Sequence, residues 1–175
     1  MQFFKRTYNW HAVYTKSRAE KMLFASLQEK SIECYLPLKK ELRQWSDRKK
    51  WVEEPLIRSY LFVRVSEKEY YDVLNTKGAV RYITFGGKAA PIPLNQIEAL
   101  RIFLEDERRR VELSSSDLKR GDWVEVVGGP LKGVQGEVLQ FRGRHRIVLR
   151  FRSLGYCVHT DISLNEVKRM QRQVS

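Results

Sequence analysis

The sequence predicts an α+β protein in which a split βαβ sheet is followed by a small β-barrel. Three observations lead to this fold class. Residues 59–65 form a nearly continuous run of aromatic and β-branched side chains, which is typical of a central strand with helices on one side. Up to about residue 108, strand and helix patterns follow in the order strand, helix, strand, strand, helix, strand, helix. After residue 117, short strand patterns separated by glycine turns indicate a strongly bent barrel.

The chain opens with a strand and a helix. Residues 8–14 alternate between two faces, which places Trp10 and Tyr14 on the same face. Ser17 and Glu20 have the spacing of a capping box, and apolar residues then recur at helical spacing. This pattern predicts an amphipathic helix directly after the first strand.

A basic arm precedes the central strand. Residues 32–36 predict a second strand, and residues 39–50 then carry six basic and two acidic side chains, which suits an exposed hairpin. Pro55 holds the following segment extended. On that segment Leu56 and Ile57 must either pack under the domain or meet a partner, and the sequence leaves both alternatives open.

A helix, a strand and a last helix complete the first domain. Ser66 and Glu69 form a second capping box, and residues 80–85 predict the fourth strand of the sheet. The resulting order predicts a ferredoxin-like sheet with its helices on one face, over residues 1–108. The charged and serine-rich residues 109–117 indicate a linker.

Residues 118–175 predict a five-stranded, SH3-like barrel. Five arginines between Arg142 and Arg152 either line one face for RNA or merely keep a small barrel in solution. The predicted strands cover residues 123–127, 136–141, 146–151, 156–162 and 166–169.

The charge of the chain favours a polyanionic partner. Its 33 Lys and Arg residues exceed its 21 Asp and Glu residues, which gives a net charge of +12 spread over both halves. Such a field is most simply explained by nucleic acid. Neither a secretory signal nor an apolar run of about 18 residues occurs, so we expect a cytoplasmic protein with no membrane partner.

No catalytic, cofactor or metal site is expected. His11, His145 and His159 have neither ligand nor triad spacing, and no nucleophile elbow or phosphate-binding glycine loop occurs. Cys34 and Cys157 lie far apart and are expected to be packing residues in a reducing compartment. The sequence therefore predicts a protein that is not an enzyme and binds no cofactor.

The most specific stretch lies at the start of the predicted barrel. Residues 118–126 read LKRGDWVEV and residues 129–138 read GPLKGVQGEV, a strand, a tight glycine turn and a closely crossing second strand. They resemble a KOW motif, the small barrel of NusG-type transcription factors and of some ribosomal proteins.

The amino-terminal half resembles the amino-terminal (NGN) domain of NusG-type factors. Residues 10–13 (WHAV) resemble its opening strand, residues 55–65 (PLIRSYLFVRV) the segment leading into its apolar strand, and residues 78–92 its last strand and loop. The resemblance covers nearly the whole chain in the right order. Typical members have FPGY where residues 57–60 read IRSY. Together with the basic arm, this sequence motif makes the chain resemble more closely the specialised paralogues of the RfaH and UpxY kind, which act on chosen long operons.

The resemblance implies contacts with RNA polymerase, nucleic acid and a barrel partner. An apolar depression would grip the clamp helices of the largest polymerase subunit, and basic residues would face the non-template DNA strand, the upstream duplex or nascent RNA. A barrel loop would contact a ribosomal protein or Rho. The matching positions are Trp10, Tyr14, Leu56, Ile57, Tyr60 and Phe85 for the polymerase; Lys16, Arg18, Lys21, Arg43, Arg48, Lys49 and Lys50 for nucleic acid; and Leu154, Gly155 and Tyr156 for the barrel partner.

Several of these assignments have open alternatives. Trp10 and Phe85 are equally expected as simple core residues, and Tyr156 stands where NusG tends to carry Arg, which weakens the barrel contact. Any of the basic residues could also belong to a solvated face.

These features predict a monomeric transcription elongation and antitermination factor that binds RNA polymerase and suppresses pausing or termination. One alternative is an RNA-binding module, because residues 58–64 loosely resemble the aromatic signature of RNA-recognition motifs. That alternative requires Tyr60 and Phe62 to be exposed together, whereas the polymerase hypothesis requires Phe62 to be buried. A ribosome-associated KOW protein is a further alternative.

Overall fold

The computed structural model describes residues 7–115, 118 and 120–170. It is a mixed α/β structure that divides into two compact units, Met1–Leu94 and Asn95–Ser175, which we call the first and second units. Outside the described residues lie Ser116 and Asp117 of the predicted linker, Lys119 of the KOW-like motif, and the domain ends at 1–6 and 171–175. The predicted domain boundaries stay a prediction.

The described part of the first unit contains nine strands and two α-helices. The predicted first strand, arm hairpin and central strand are confirmed, with ends that shift by one or a few residues. The elements are β1 (Asn9–Thr15), α1 (Glu20–Glu29), β2 (Glu33–Tyr35), β3 (Leu38–Gln44), β4 (Lys49–Pro55), β5 (Tyr60–Val65), α2 (Tyr70–Leu74), β6 (Ala79–Tyr82), β7 (Thr84–Phe85), β8 (Lys88–Ala89) and β9 (Pro91–Ile92).

One antiparallel sheet organises this unit. Its strands follow in the order β2-β5-β1-β6, and β9 also pairs with β1. The central position predicted for residues 59–65 is therefore confirmed. In the β1–β5 register Val13 lies opposite Leu61, and Tyr14 lies opposite Tyr60. Strands β3 and β4 form a separate two-stranded sheet, the arm, and β7 and β8 form another.

The core of the first unit joins helix α1 to one face of this sheet. Leu23 and Leu27 of α1 are fully buried in a cluster with Val13, Leu61 and Val63 from the two middle strands. Burying each such aliphatic side chain contributes about 1.5–3 kcal/mol. Because neighbouring residues of a strand point to opposite faces, Tyr14 and Tyr60 lie on the face away from this cluster.

The two predicted capping boxes have different outcomes. Helix α1 begins at Glu20 with no side-chain cap, so the Ser17–Glu20 box was wrong. Only half of the second box is present: the backbone N–H and the hydroxyl of Ser66 both donate to the Glu69 carboxylate at 2.9 Å, but helix α2 begins at Tyr70 with no side-chain cap. The Glu20 carboxylate instead accepts the backbone N–H of Ser59, in a loop that is distant in sequence.

The rest of the described chain is mainly one antiparallel sheet. The elements are α3 (Leu94–Glu105), β10 (Val111–Ser115), β11 (Asp122–Val126), β12 (Gln135–Phe141), β13 (Arg144–Phe151), a 3-10 turn (Arg152–Leu154), β14 (Tyr156–Asp161), a second 3-10 turn (Leu164–Glu166) and β15 (Val167–Arg169). The strand order of the sheet is β10-β14-β13-β12-β11-β15. The five strands predicted for the barrel are confirmed as β11–β15. Strand β10 was not predicted, because its residues fall in the expected linker, but it pairs with β14 along its whole length.

One arginine of β13 forms a buried ion pair with β12. Arg150 donates to the Glu137 carboxylate through Nε at 3.2 Å and through Nη2 at 3.0 Å, and both side chains are almost inaccessible to solvent. Nη2 also donates to the Leu118 carbonyl at 3.1 Å, and the backbone N–H of Gly121 donates to Glu137 at 3.2 Å. This ion pair therefore joins two strands to the segment that enters β11.

A second arginine of β13 is the centre of a buried polar cluster. Arg146 is hydrogen-bonded to Glu112 of β10 and lies 3.0 Å from Nδ1 of His159. Because a guanidinium only donates, Nδ1 must accept, and the protonated Nε2 then donates to the Ser114 hydroxyl at 2.7 Å. Arg146 and Arg150 are thus structural, and the five arginines do not form one exposed face.

Acidification is expected to destabilise the second unit. Burial and the neighbouring Arg146 hold the pKa of His159 below its ordinary value of 6.5, and the Arg146 hydrogen bond holds the pKa of Glu112 below 4.5. Below pH 6.5, His159 is therefore protonated more readily in the unfolded chain than in the folded unit. Below pH 4.5, the same is true of Glu112. Stability from both groups is present at neutral pH and is lost as the pH falls, by at most about 1.4 kcal/mol per pH unit and group.

Urea denaturation between pH 7 and pH 4 measures this effect. His159→Gln should flatten the profile of the parent chain below pH 6.5. Burial also lowers the pKa of His11 in the first unit, so that residue contributes the same slope to the parent and to the variant. Equal profiles for the parent and the variant would remove His159 from this role.

No helix in the described ranges is long and apolar enough to cross a membrane. Within the same ranges, no group of three or more His, Cys, Asp or Glu side chains could hold a metal ion. Cys34 is half-buried and Cys157 is buried, and neither forms a disulfide. Burial, followed by the nearby Glu33, raises the pKa of the Cys34 thiol to about 11, so this thiol is protonated at neutral pH.

Candidate binding surfaces

Two tyrosines and an arginine meet on the sheet face away from the core cluster. Tyr14 and Tyr60 lie opposite each other on β1 and β5, and their rings meet edge-to-face with centroids 5.6 Å apart. Arg81 is the β6 partner of Tyr14, and its guanidinium carbon lies 5.5 Å from the Tyr14 ring centroid. We call these three residues the aromatic surface. Half-exposed aromatic rings beside a cation can bind another protein through both apolar and charged contacts.

The loop before β5 is held in place by a buried carboxylate. Glu20 accepts the backbone N–H of Ser59 at 2.7 Å, and the Ser59 carbonyl accepts the N–H of Thr15 at 2.9 Å. Ser59 has a φ of +63°, a conformation that favours glycine.

Removing that carboxylate is expected to loosen the loop that carries Tyr60 into the sheet. Glu20→Ala leaves the Ser59 N–H without its acceptor in a site where Glu20 is only 6% exposed, which costs about 1–3 kcal/mol of stability. Glu20→Gln keeps an acceptor oxygen at the same place and should lose less. Urea denaturation measures both values, and an alanine variant as stable as the parent would contradict this account.

The six residues predicted to contact the polymerase do not share one environment. Trp10 and Ile57 are 3% and 1% exposed, so the structure places both in the interior. Tyr14, Tyr60 and Leu56 are half-buried, whereas Phe85 is 85% exposed in the separate β7–β8 hairpin.

The burial of Phe62 distinguishes the polymerase hypothesis from the RNA-recognition hypothesis for this face. It follows Leu61 in β5, is fully buried, and stacks on Tyr35 with ring centroids 6.3 Å apart. Since Phe62 is not exposed together with Tyr60, the pair cannot present two rings to bases as an RNA-recognition motif does. This burial is what the polymerase hypothesis requires.

The predicted nucleic-acid residues fall in two regions of the first unit. Lys16, Arg18 and Lys21 lie at or just before the start of α1, and Lys21 Nζ donates to the Glu53 carbonyl of the arm at 2.7 Å. Within the arm, Arg43 is hydrogen-bonded to Glu54 at 2.6 Å. The remaining three residues, Arg48, Lys49 and Lys50, lie at the far end of the arm and are exposed.

Sequence reasoning missed two features of these surfaces. Arg81 was not a predicted site residue, although the pairing of the fourth strand with the first could have indicated it. The arm also exposes three large apolar side chains that were not assigned a role, Leu42, Trp45 and Trp51. An exposed tryptophan in a basic hairpin is itself a signal for binding.

The barrel loop is only partly accessible. Leu154 is buried, Gly155 adopts a φ of 70° at the end of the 3-10 turn, and Tyr156 is half-buried opposite Phe151. A partner could therefore reach Gly155 and Tyr156 but not the Leu154 side chain.

Comparison with known proteins points to one family. The family model NusG, described as transcription termination factor nusG, matches residues 8–103, which is more than half of the chain and includes the aromatic surface and the arm. A solved structure described as "Domain interaction in Thermotoga maritima NusG" is similar, with 18% identity and a TM-score of 0.48, and the match covers 94% of this chain and 98% of that chain. The search of curated proteins found no match.

Proposed function

The chain belongs to the NusG family of transcription elongation and termination factors, and we propose that it binds RNA polymerase through its aromatic surface and suppresses pausing or termination. The docking site would be the clamp helices of the largest polymerase subunit. The observation that carries this proposal is the pairing of two half-exposed tyrosines with Arg81 on one sheet face. No catalytic step is involved, since such a factor acts by binding alone.

The burial of Trp10 and Ile57 refines the proposed contact. Neither of these two side chains is accessible to a partner, whereas Tyr14, Tyr60 and Leu56 are partly exposed. Leu56 is fixed by its backbone N–H, which donates to the Pro37 carbonyl at 2.8 Å. Phe85 is a further contact only if the polymerase also reaches the β7–β8 hairpin.

We further propose that the basic residues of the first unit hold nucleic acid near the polymerase. Phosphate contacts give affinity without sequence preference, and once one face is docked the second contact becomes intramolecular. The DNA of the transcription bubble or the upstream duplex is the expected ligand, with nascent RNA as the alternative. Exposure of Arg48, Lys49 and Lys50 supports this assignment.

We also propose that the chain contains the two domains that the resemblance implies, an NGN domain and a KOW domain. The order β2-β5-β1-β6, with α1 and α2 as connections, supports a ferredoxin-like NGN domain over residues 1–108, and the antiparallel strands β11–β15 support an SH3-like KOW domain over residues 118–175. The compact second unit starts earlier, at Asn95, because it includes most of α3. We propose Gly155 and Tyr156 as the contact of the KOW domain with a ribosomal protein or Rho.

A pull-down with purified core RNA polymerase tests the proposal. The chain should be retained, and an excess of an isolated clamp-helix fragment should displace it. Retention that the fragment does not reduce would place the contact elsewhere on the polymerase. Absence of retention would contradict the proposed function.

A further inference from the structure

The far half of the arm presents apolar and basic side chains on one face. In the β3–β4 register Leu42 lies opposite Trp51, and Gln44 lies opposite Lys49, so these four side chains project from the same face. Trp51 is 66% exposed, and Leu42 beside it is also exposed. An indole ring this open has most of its surface in water, so it is available to a ligand.

The tip of the arm carries a second ring beside a cation. The backbone N–H of Trp45 donates to the Arg48 carbonyl at 2.8 Å, which closes the turn, and the Arg48 guanidinium carbon lies 5.5 Å from the Trp45 ring centroid. Both side chains are exposed. A planar guanidinium next to an exposed indole can contact a phosphate while the ring contacts a base.

Charge is distributed unevenly along the arm. At its base, Lys39 pairs with Glu41 at 3.3 Å, and Glu54 pairs at 2.6 Å with Arg43, which lies opposite Lys50 farther along the arm, so these cations and carboxylates offset one another. At the far end, Lys49 and Lys50 form no salt bridge with any residue in the described ranges. The positive potential is therefore concentrated beside the exposed rings, which is where a polyanion is attracted most strongly.

We propose that the far half of the arm is a binding site for unpaired nucleotides, in which a base stacks on Trp51 while Arg48, Lys49 and Lys50 hold the adjoining phosphates. This inference rests on the nucleic-acid part of the proposed function and names its ligand as a single strand. A base within a duplex already stacks on its neighbours, so an exposed indole gains a stacking partner only where the strands are separated. The cations alone would bind single and double strands alike.

The experiment compares the full-length chain and its variants by fluorescence anisotropy with a labelled oligo-dT of 12 nucleotides and a 12-base-pair duplex. Trp51→Ala should weaken binding to the single strand about tenfold and leave binding to the duplex within about twofold. Trp51→Phe, which keeps an aromatic ring, should recover most of the loss. The matched control is Tyr71→Ala, because Tyr71 of α2 is 68% exposed and lies outside the arm.

A second variant separates stacking from charge. Lys49→Glu together with Lys50→Glu should weaken binding of both ligands. On the single strand, it should also reduce the slope of log K against log salt by about 0.7 for each phosphate that the arm no longer neutralises. Circular dichroism and the melting temperature establish that each variant is folded.

Three outcomes would contradict the proposal that the arm binds single strands. No detectable binding of oligo-dT by the parent chain, or an equal loss of both ligands in Trp51→Ala, would overturn the proposal. Weaker polymerase retention in Trp51→Ala with unchanged oligonucleotide binding would identify a protein as the occupant instead. Because the oligonucleotide assay contains no polymerase, failure here leaves the pull-down result intact, and failure of the pull-down leaves this result intact.

Discussion

Replacing Tyr14 and Tyr60 together by alanine is expected to abolish binding of this chain to RNA polymerase. The two rings support each other edge-to-face at 5.6 Å, and Arg81 lies against Tyr14. Truncating one such aromatic anchor at a hot spot costs about 2 kcal/mol or more, which corresponds to about 30-fold in Kd. The double variant loses both anchors, so its binding should fall below detection when Kd is measured with immobilised core polymerase.

Two control variants make this measurement specific. Tyr60→Phe keeps the ring and should bind within a few-fold of the parent. Tyr71→Ala removes an equally polar ring that is exposed on α2, away from β1 and β5, and should leave Kd unchanged. An unchanged Kd in the double alanine variant would remove the aromatic surface as the contact.

Ile57 cannot serve in the same test. Its side chain is 1% exposed, so truncation to alanine creates a cavity and is expected to cost about 2–5 kcal/mol of stability. Reduced polymerase binding by that variant would report on folding and not on contact. The tyrosines, which are half-exposed, separate the two effects.

Replacing Arg150 by methionine is expected to destabilise the second unit by about 3–5 kcal/mol. The substitution leaves the Glu137 carboxylate buried without its bidentate partner, since Arg150 donates to it through Nε and Nη2 at 3.2 and 3.0 Å. The hydrogen bond with Glu137 raises the pKa of Arg150, so the ion pair favours the charged arginine. Chemical denaturation followed by circular dichroism measures the loss.

The double variant Arg150→Met with Glu137→Leu tests the cause. Replacing both members of a buried ion pair by apolar residues of similar size is often neutral or stabilising, so most of the loss should be recovered. Arg144→Met is the exposed counterpart, because Arg144 pairs with Asp161 at 3.0 Å on the surface, and it should cost at most about 1 kcal/mol. A single variant that costs no more than Arg144→Met would contradict the buried-pair account.

Local patterns in the sequence predicted most of the strands and helices. Alternation placed Tyr14 on one face of β1, and the charge of residues 39–50 identified an exposed hairpin. Strand β10 was missed because the short alternation of its residues, VELSS, lies within a charged and serine-rich segment that is typical of a linker. They form a strand because β14 supplies a complete set of backbone partners and because Glu112 and Ser114 bind Arg146 and His159.

The Glu20 carboxylate shows the same dependence on distant residues. Its spacing from Ser17 predicted a local cap, but the folded chain brings the Ser59 N–H to 2.7 Å from it. A carboxylate binds the donor that packing places nearest, and sequence spacing describes only the local donors.

By itself, the sequence determined the family, the strand faces and the positive charge, because these depend on residue order and on the alternation of side chains. Only the tertiary structure decided that Ile57 is interior while Tyr60 is accessible, and that Arg150 is a structural ion-pair partner. The physical reason is that exposure depends on which residues cover a face. Those residues come from elements far away in the chain, where no local pattern can indicate them.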